Sequence, residues 1–252
     1  MSAHRSSYDR YISVFSPEGK LYQVEYAMNA VARAGITAVA ITGKNCVVIV
    51  AQRKIREPLV VSSSVTSLFH IHKCLGVCAI GRSPDGTSAV NQTRQLAADY
   101  WYHNGLKCPS ATLAQRFADF MQLSTQNAGK RILGISLLFA SLEQDDDGAV
   151  VPEIHKVDSS GYCLAYDAVV IGAYEREGTK MLEKEIKKED FRKETDVKKL
   201  MFRAIACLQK VTREEFKKDD LEIGYMTEAN PAFTIADSSF AEGVLNDFYK
   251  SR

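Results

Sequence analysis

Charge of either sign is nowhere in surplus: 32 Lys and Arg oppose 31 Asp and Glu, and the +1 that remains at pH 7 is spread along 252 residues. A chain so balanced lacks the field that draws nucleic acid or an anionic membrane surface, so neither partner is expected. Long apolar runs are missing too. No stretch reaches the roughly 18 residues of a membrane span, and the opening MSAHRSSYDR has no apolar core of the signal-peptide kind. The six cysteines are scattered, with no C-x-x-C pair and no dense framework, which fits a reducing compartment and a soluble intracellular chain. Nor is there a Gly-x-Ser-x-Gly elbow, a P-loop or a Rossmann glycine pattern. The common hydrolase and nucleotide-binding readings fall away, and no cofactor is expected.

What is present is core-forming material. Hydrophobic residues make up 46% of the chain, enough to bury a full core, and no linker divides 1–252 into two domains. Ser16-Pro17-Glu18-Gly19 has the composition of a type I turn, with Pro at the second position and Gly at the fourth. Behind it Leu21, Val24, Met28 and Val31 recur at helical spacing, with Gln23, Glu25, Asn29 and Arg33 off that stripe. A helix to about Arg33 is predicted, its apolar stripe needing another surface to cover it.

Residues 36–41 and 46–51 read as a hairpin, and residues 65–71 and 75–80 as a third and fourth strand. Ser83 is expected to cap a helix with Pro84 in its first turn, the inward stripe running through Ala89, Val90, Leu96, Ala97, Tyr100 and Trp101 until Asn104-Gly105 stops it. Ser110 is expected to cap a second helix facing inward with Leu113, Phe117, Phe120 and Met121. A second strand block follows at 132–142, 150–157 and 168–171, buried on both faces. The lysine-rich stretch 180–199 carries nearly as many acids as bases, which suits an exposed helix pair with i,i+4 charge pairs; a nuclear import signal is its weaker reading. Val197, Leu200, Met201, Ala204, Ile205, Leu208 and Val211 mark the clearest helix. Strands at 223–226 and 233–235 and a helix from about Asp237 close the chain. Strands, two helices, strands, two helices, strands, helix is the order of two stacked sheets with helices outside: α+β, a four-layer αββα sandwich with an N-terminal helix.

Candidate metal ligands are few. His70, His72 and Cys74 alternate, so that on a strand they point the same way, and Cys78 follows. A fourth ligand is not evident, and ordinary strand residues are the better reading. Asp145, Asp146 and Asp147 lack the alternate spacing of a calcium loop and read as a solvated turn. No metal is expected.

The segment YDRYISVFSPEGKLYQVEYA, residues 8–27, resembles the N-terminal signature of 20S proteasome alpha subunits through Tyr8, Asp9, Arg10, Phe15, Ser16, Pro17, Gly19, Leu21, Gln23, Val24, Glu25, Tyr26 and Ala27. The resemblance extends over the whole element order. Within the family the type-six group, also called alpha one, is the most similar, through this segment, Gly43-Lys44-Asn45-Cys46 and Thr125-Gln126-Asn127-Ala128. The chain departs from that group at Ser124-Thr125-Gln126, Arg131-Ile132 and Asp158-Ser159-Ser160-Gly161-Tyr162.

The resemblance implies a sandwich of the N-terminal nucleophile hydrolase kind over 35–252, a gate tail and turn over 1–20 and an N-terminal helix over 21–34. It implies a non-catalytic member of a seven-membered ring with six other alpha subunits, resting on beta-ring subunits, in the cytoplasm and nucleus, within ubiquitin-dependent protein degradation. Residues 1–7 would be a mobile plug over the pore. The family's gate residues fall on Tyr8, Asp9, Pro17 and Tyr26: Pro17 fixes the reversal, while the others hold an open arrangement by packing and hydrogen bonds. The plainer reading makes them turn and helix residues only. The family's pocket for regulatory-particle or activator C-terminal tails falls on Gly19, Gly81 and, where a lysine pairs with the tail carboxylate, Ser67.

The rival expectation is a proteolytic subunit, whose nucleophile is the hydroxyl of an N-terminal threonine with the α-amino group as proton acceptor. The charged partners in that family are an aspartate and a lysine. Matching the second strand puts Gln52 at the aspartate position and Ser67 at the lysine position, so both charges are missing. Counting instead from Thr37, the hydroxyl nearest the required start, lands on Arg53 and Phe69. No catalytic residue is expected.

Overall fold

Strand β1 (Thr37–Thr42) and strand β2 (Cys46–Gln52) form the expected hairpin, and every residue of both is buried. Their alternation explains why. Val39, Ile41, Val48 and Val50 point to one face, Ala38, Ala40, Val47 and Ile49 to the other, and each face meets a separate apolar layer. The computed structural model describes residues 8–55, 57–145 and 147–251. The expected plug at 1–7 and Asp146 of the acidic turn lie outside the described residues.

The hairpin is the centre of a five-stranded antiparallel sheet in the order β10-β9-β2-β1-β8, completed by β8 (Ala168–Gly172), β9 (Leu221–Thr227) and β10 (Asn230–Ile235). A second five-stranded antiparallel sheet runs β3 (Leu68–His72), β4 (Leu75–Gly81), β5 (Ile135–Gln144), β6 (Val150–Val157) and β7 (Cys163–Ala165). Between the sheets lies a layer including Ile49, Leu68, Cys78, Leu138, Ile171 and Phe233. Outside the second sheet pack α2 (Ser83–Asn104) and α3 (Ser110–Gln126), and outside the first α4 (Glu175–Lys188), α5 (Val197–Thr212) and α6 (Ser238–Lys250). These are the four layers expected from the element order.

Helix α1 (Tyr22–Arg33) lies across this sandwich, against β4 and β5. Val24 and Ala27 bury themselves with Ile132, and Ile12 and Leu21 pack against that small cluster. Each buried aliphatic side chain contributes roughly 1.5–3 kcal/mol, so the cluster suffices to seat one helix.

Several expectations change. Met28 is 39% exposed and Trp101 60% exposed; Tyr22 and Ala27 carry the buried stripe of α1 in place of Met28. Helix α2 begins at Ser83 itself, with Arg82 at the cap, and α3 at Ser110, with Pro109 at the cap. The start of α3 is held by carboxylates from the sheet: the Ser110 amide donates to Glu143 at 3.0 Å and its hydroxyl to Glu153 at 2.6 Å. The third strand starts at Leu68 and the fifth at Ile135, because Ser67 and Ile132 serve a side-chain bond and the α1 cluster instead. β6 is only partly buried, and the short β7 had no periodic signal. Charges in the lysine-rich stretch pair across helices, Glu185 with Lys210 at 3.5 Å and Glu189 with Arg203 at 2.5 Å, where neighbours along one helix were expected.

Candidate functional site

The N-terminal reversal is built from one side chain and three amides. Gly19 N–H donates to the Ser16 carbonyl at 2.8 Å, Ser16 N–H to the Lys20 carbonyl at 2.9 Å, and Lys20 N–H to Ser16 Oγ at 3.1 Å. Gly19 sits at φ +75°, a conformation that strains any residue with a Cβ. The turn aims the preceding segment back along α1. There Gln23 Nε2 donates to the Asp9 carbonyl at 2.6 Å and the Tyr26 phenol donates to Asp9 Oδ1 at 2.7 Å. Tyr22 stacks on Tyr26, with ring centroids 6.3 Å apart. Of the four gate positions, Asp9 and Tyr26 are therefore joined, Pro17 stays on the exposed turn, and Tyr8 is half-buried at the start of the described chain. Gln23 is a member of this network that was named as a signature residue but not among the four gate positions; it lies one turn before Tyr26.

At one end of the sandwich the strand ends hold a buried polar cluster. Thr37 N–H, a peptide amide joined to Ile36, donates to Gln52 Oε1 at 3.0 Å, and Gln52 Nε2 donates to Glu214 at 3.1 Å. A peptide nitrogen has no basic lone pair, so it cannot take a proton from the Thr37 hydroxyl. That hydroxyl is buried with no hydrogen-bond partner among the described residues. Ser67 supplies its backbone: its amide donates to Glu222 Oε2 at 2.7 Å, and Arg53 Nη2 holds Glu222 Oε1 at 2.8 Å. Glu222, 3% exposed, thus bridges the two sheets where Gln52 and Ser67 were expected to mark lost catalytic charges. The sequence hid it, since it stands 169 residues from Arg53. Its one trace is an acid opening an apolar strand.

Of the three positions of the expected tail pocket, Gly19 lies on the turn, Gly81 ends β4, and the Ser67 carbonyl accepts from Ala79 N–H of that strand at 2.8 Å. Gly81 has φ +137°, and a Cβ there would lie 2.2 Å from the Gly134 carbonyl; the strand end needs glycine to pass so close. One residue on, Arg82 N–H donates to Gly134 O at 3.0 Å. The nearby Asp85 carboxylate accepts two bonds of 2.7 Å from Arg131 and one of 2.9 Å from Gly134 N–H. The Arg131 guanidinium holds the Asp85 pKa below its ordinary value, against the burial that raises it.

The His70–Cys74 alternation is broken by a register irregularity between His70 and His72. His70 meets the edge of the Phe233 ring, His72 Nε2 faces the Cys108 carbonyl at 3.4 Å, and Cys74 N–H donates to His72 Nδ1 at 3.3 Å. Among the described residues no three His, Cys, Asp or Glu side chains are placed to hold a metal ion. Among them, too, no helix is long and apolar enough to cross a membrane.

Comparison with known proteins adds the family. Residues 32–226 match the family model described as proteasome subunit, and residues 8–30 the model that describes the N-terminal signature of A-type proteasome subunits. The chain is 38% identical to the alpha type-6 proteasome subunit of Caenorhabditis elegans over 96% of its own length and 95% of the worm protein. It is 35% identical to the probable alpha type-1 proteasome subunit of Schizosaccharomyces pombe over 89% of each chain. An alpha-type proteasome subunit of Methanocaldococcus jannaschii is 32% identical over 90% of this chain and 83% of the archaeal one. A sandwich of two antiparallel sheets, a helix laid over its end and a signature that builds both turn and helix all converge: the chain belongs to the proteasome subunit family, in its alpha branch.

Proposed function

We propose that this chain is a non-catalytic alpha-ring subunit of the 20S core particle, similar to the type-six group, working within a threonine endopeptidase complex that serves ubiquitin-dependent protein degradation. It forms one folded unit: a gate tail and turn over 1–20, a helix over 21–34 and the sandwich over 35–252. Six other alpha subunits complete a seven-membered ring by head-to-tail contacts, one face of each chain meeting a different face of the next. The ring stacks on beta subunits, receives the C-terminal tails of regulatory particles or activators, and works in the cytoplasm and nucleus.

One observation carries the reading. The signature segment is seated on the sandwich, with α1 against β4 and β5 and Asp9 tied to Gln23 and Tyr26, while Thr37, the hydroxyl nearest a nucleophile position, lies in mid-chain with its nitrogen in a peptide bond. Such a scaffold serves as a doorway: Tyr8, Asp9, Pro17 and Tyr26 hold the entrance, and Gly19, Ser67 and Gly81 mark the tail pocket. Native mass measurement of particles purified through a tag on this chain tests it. Stacked seven-membered rings are expected, and a free chain would contradict the proposal.

A further inference from the structure

Cys74 and Lys107 line one cavity of about 430 Å³ beside the β3–β4 turn, with Lys107 Nζ 3.9 Å from Cys74 Sγ. They come from different elements, Cys74 from that turn and Lys107 from the connection between α2 and α3. One imidazole holds the two in register. His72 Nδ1 accepts the Cys74 amide at 3.3 Å, so Nε2 carries the ring proton and aims it at the Cys108 carbonyl, 3.4 Å away. Burial lowers the His72 pKa and keeps the ring in the neutral form that this arrangement needs. Behind the turn, Phe233 N–H donates to the Lys73 carbonyl at 2.8 Å and fixes it to the first sheet. Neither reactive group is spent elsewhere: Cys74 is a free, half-buried thiol, and Lys107 is exposed and makes no salt bridge among the described residues. The other five cysteines are less suited. Cys46, Cys78, Cys108 and Cys207 are buried and their thiols are pushed up by that burial, while half-buried Cys163 is raised by burial and by Asp119. Among the described residues Cys74 alone combines access to solvent with an amine at its sulfur.

We propose that Cys74 and Lys107 form an oxidation-dependent covalent bridge, a sulfenamide between Sγ and Nζ, with hydrogen peroxide as the oxidant. In the first step the Cys74 sulfur attacks one peroxide oxygen. The O–O bond breaks and an S–O bond forms, so the sulfur gives two electrons to the peroxide and sulfenic acid and one water result. In the second step the Lys107 nitrogen, its ammonium proton first lost to solvent, attacks that sulfur. An S–N bond forms, the S–O bond breaks, and the departing hydroxide leaves as water with a proton from the nitrogen; no further oxidant is consumed. Sulfenic acids close on a backbone nitrogen by the same condensation, and here a side-chain amine stands 3.9 Å from the sulfur. A thiol reverses the bridge by attacking the sulfur, which frees the lysine amine and leaves a disulfide for a second thiol to reduce. The bridge spans 33 positions of sequence and ties the β3–β4 turn to the connection ahead of α3. The competing closure of Cys74 on Cys108 needs a residue only 2% exposed. The bridge stands on these two side chains, whether or not the chain sits in a ring.

The test is intact-mass spectrometry and peptide mapping of the purified full-length chain after brief exposure to hydrogen peroxide in small excess. The chain should become lighter by about 2 Da and lose one free thiol, with Lys107 closed to trypsin and to amine-reactive labels, and dithiothreitol should restore all of these. Cys108→Ser should bridge as wild type. Lys107→Arg, which keeps the charge, and Lys107→Gln should instead stop at a sulfenic acid that dimedone traps, then pass to sulfinic acid, about 32 Da heavier. Circular dichroism identifies a variant that has failed to fold, and the other Lys107 variant then decides. A 2 Da loss that persists in Lys107→Arg and vanishes in Cys108→Ser would make the product a disulfide and overturn the proposal. So would oxygen added to Cys74 in the wild-type chain while Lys107 stays open to labelling, or no reaction at Cys74 at all.

Discussion

The Tyr26 phenol donates to Asp9 Oδ1 across 2.7 Å and 17 positions of sequence, tying the middle of α1 to the segment that enters the Ser16 turn. The pair is exposed, so its effect is local. Tyr26→Phe keeps the ring and removes the bond. Global stability should shift by about 0.5 kcal/mol or less, while amide hydrogen exchange over residues 9–12 speeds up several-fold. Unchanged exchange there would mean that the bond does not hold the segment.

Glu222 is the buried member of an ion pair with Arg53 and the acceptor for the Ser67 amide. Glu222→Ala leaves a cation and an amide without their carboxylate. A loss of about 3 kcal/mol is expected, near the lower end for breaking a buried pair, because Arg53 retains some solvent contact. Chemical denaturation measures it, and a loss below 1 kcal/mol, roughly the value of an exposed pair, would place the bridge among surface contacts.

Asp85 has its folded-state pKa depressed below 3.8 by Arg131. A carboxyl of that kind stabilises fully above its unfolded value and loses the contribution as pH falls through the folded one. Asp85→Asn should therefore unfold at lower temperature than wild type at pH 7, with the two curves converging as pH drops below 3.8. A constant gap across that range would assign the effect to packing.

Ser67 stands where the tail pocket of the family has a lysine. On the proposed function, the pocket that this chain supplies binds activator tails weakly, and Ser67→Lys should raise the affinity of a C-terminal tail peptide for the assembled particle by about tenfold, the worth of one charge-assisted bond. No gain would remove Ser67 from the pocket.

Local chemistry made much of this fold readable. Ser16, Pro17 and Gly19 announced their turn, β1 and β2 their hairpin, and the spacing from Val197 through Leu208 the helix that fills the outer layer of the first sheet. Errors came where burial depends on what lies opposite. Trp101 and Met28 fit an apolar stripe by spacing yet face outward, and Ser110 is fixed by Glu143 and Glu153, more than thirty positions away. The polar cluster at the strand ends was legible only as missing charges at Gln52 and Ser67. What fills it, Arg53 with Glu222 and Gln52 with Glu214, joins residues over 160 positions apart, and no periodicity or motif brings such pairs together. Asp85 and Arg131, 46 positions apart, escaped for the same reason.

Intact-mass spectrometry of this chain, recovered from the particle assembled in its own cells, tests the central claim most directly. The account predicts a mature chain that still carries α1 and the signature ahead of Thr37. A chain trimmed to begin at Thr37, in a particle that loses a peptide-cleaving activity when that residue is changed to alanine, would contradict it.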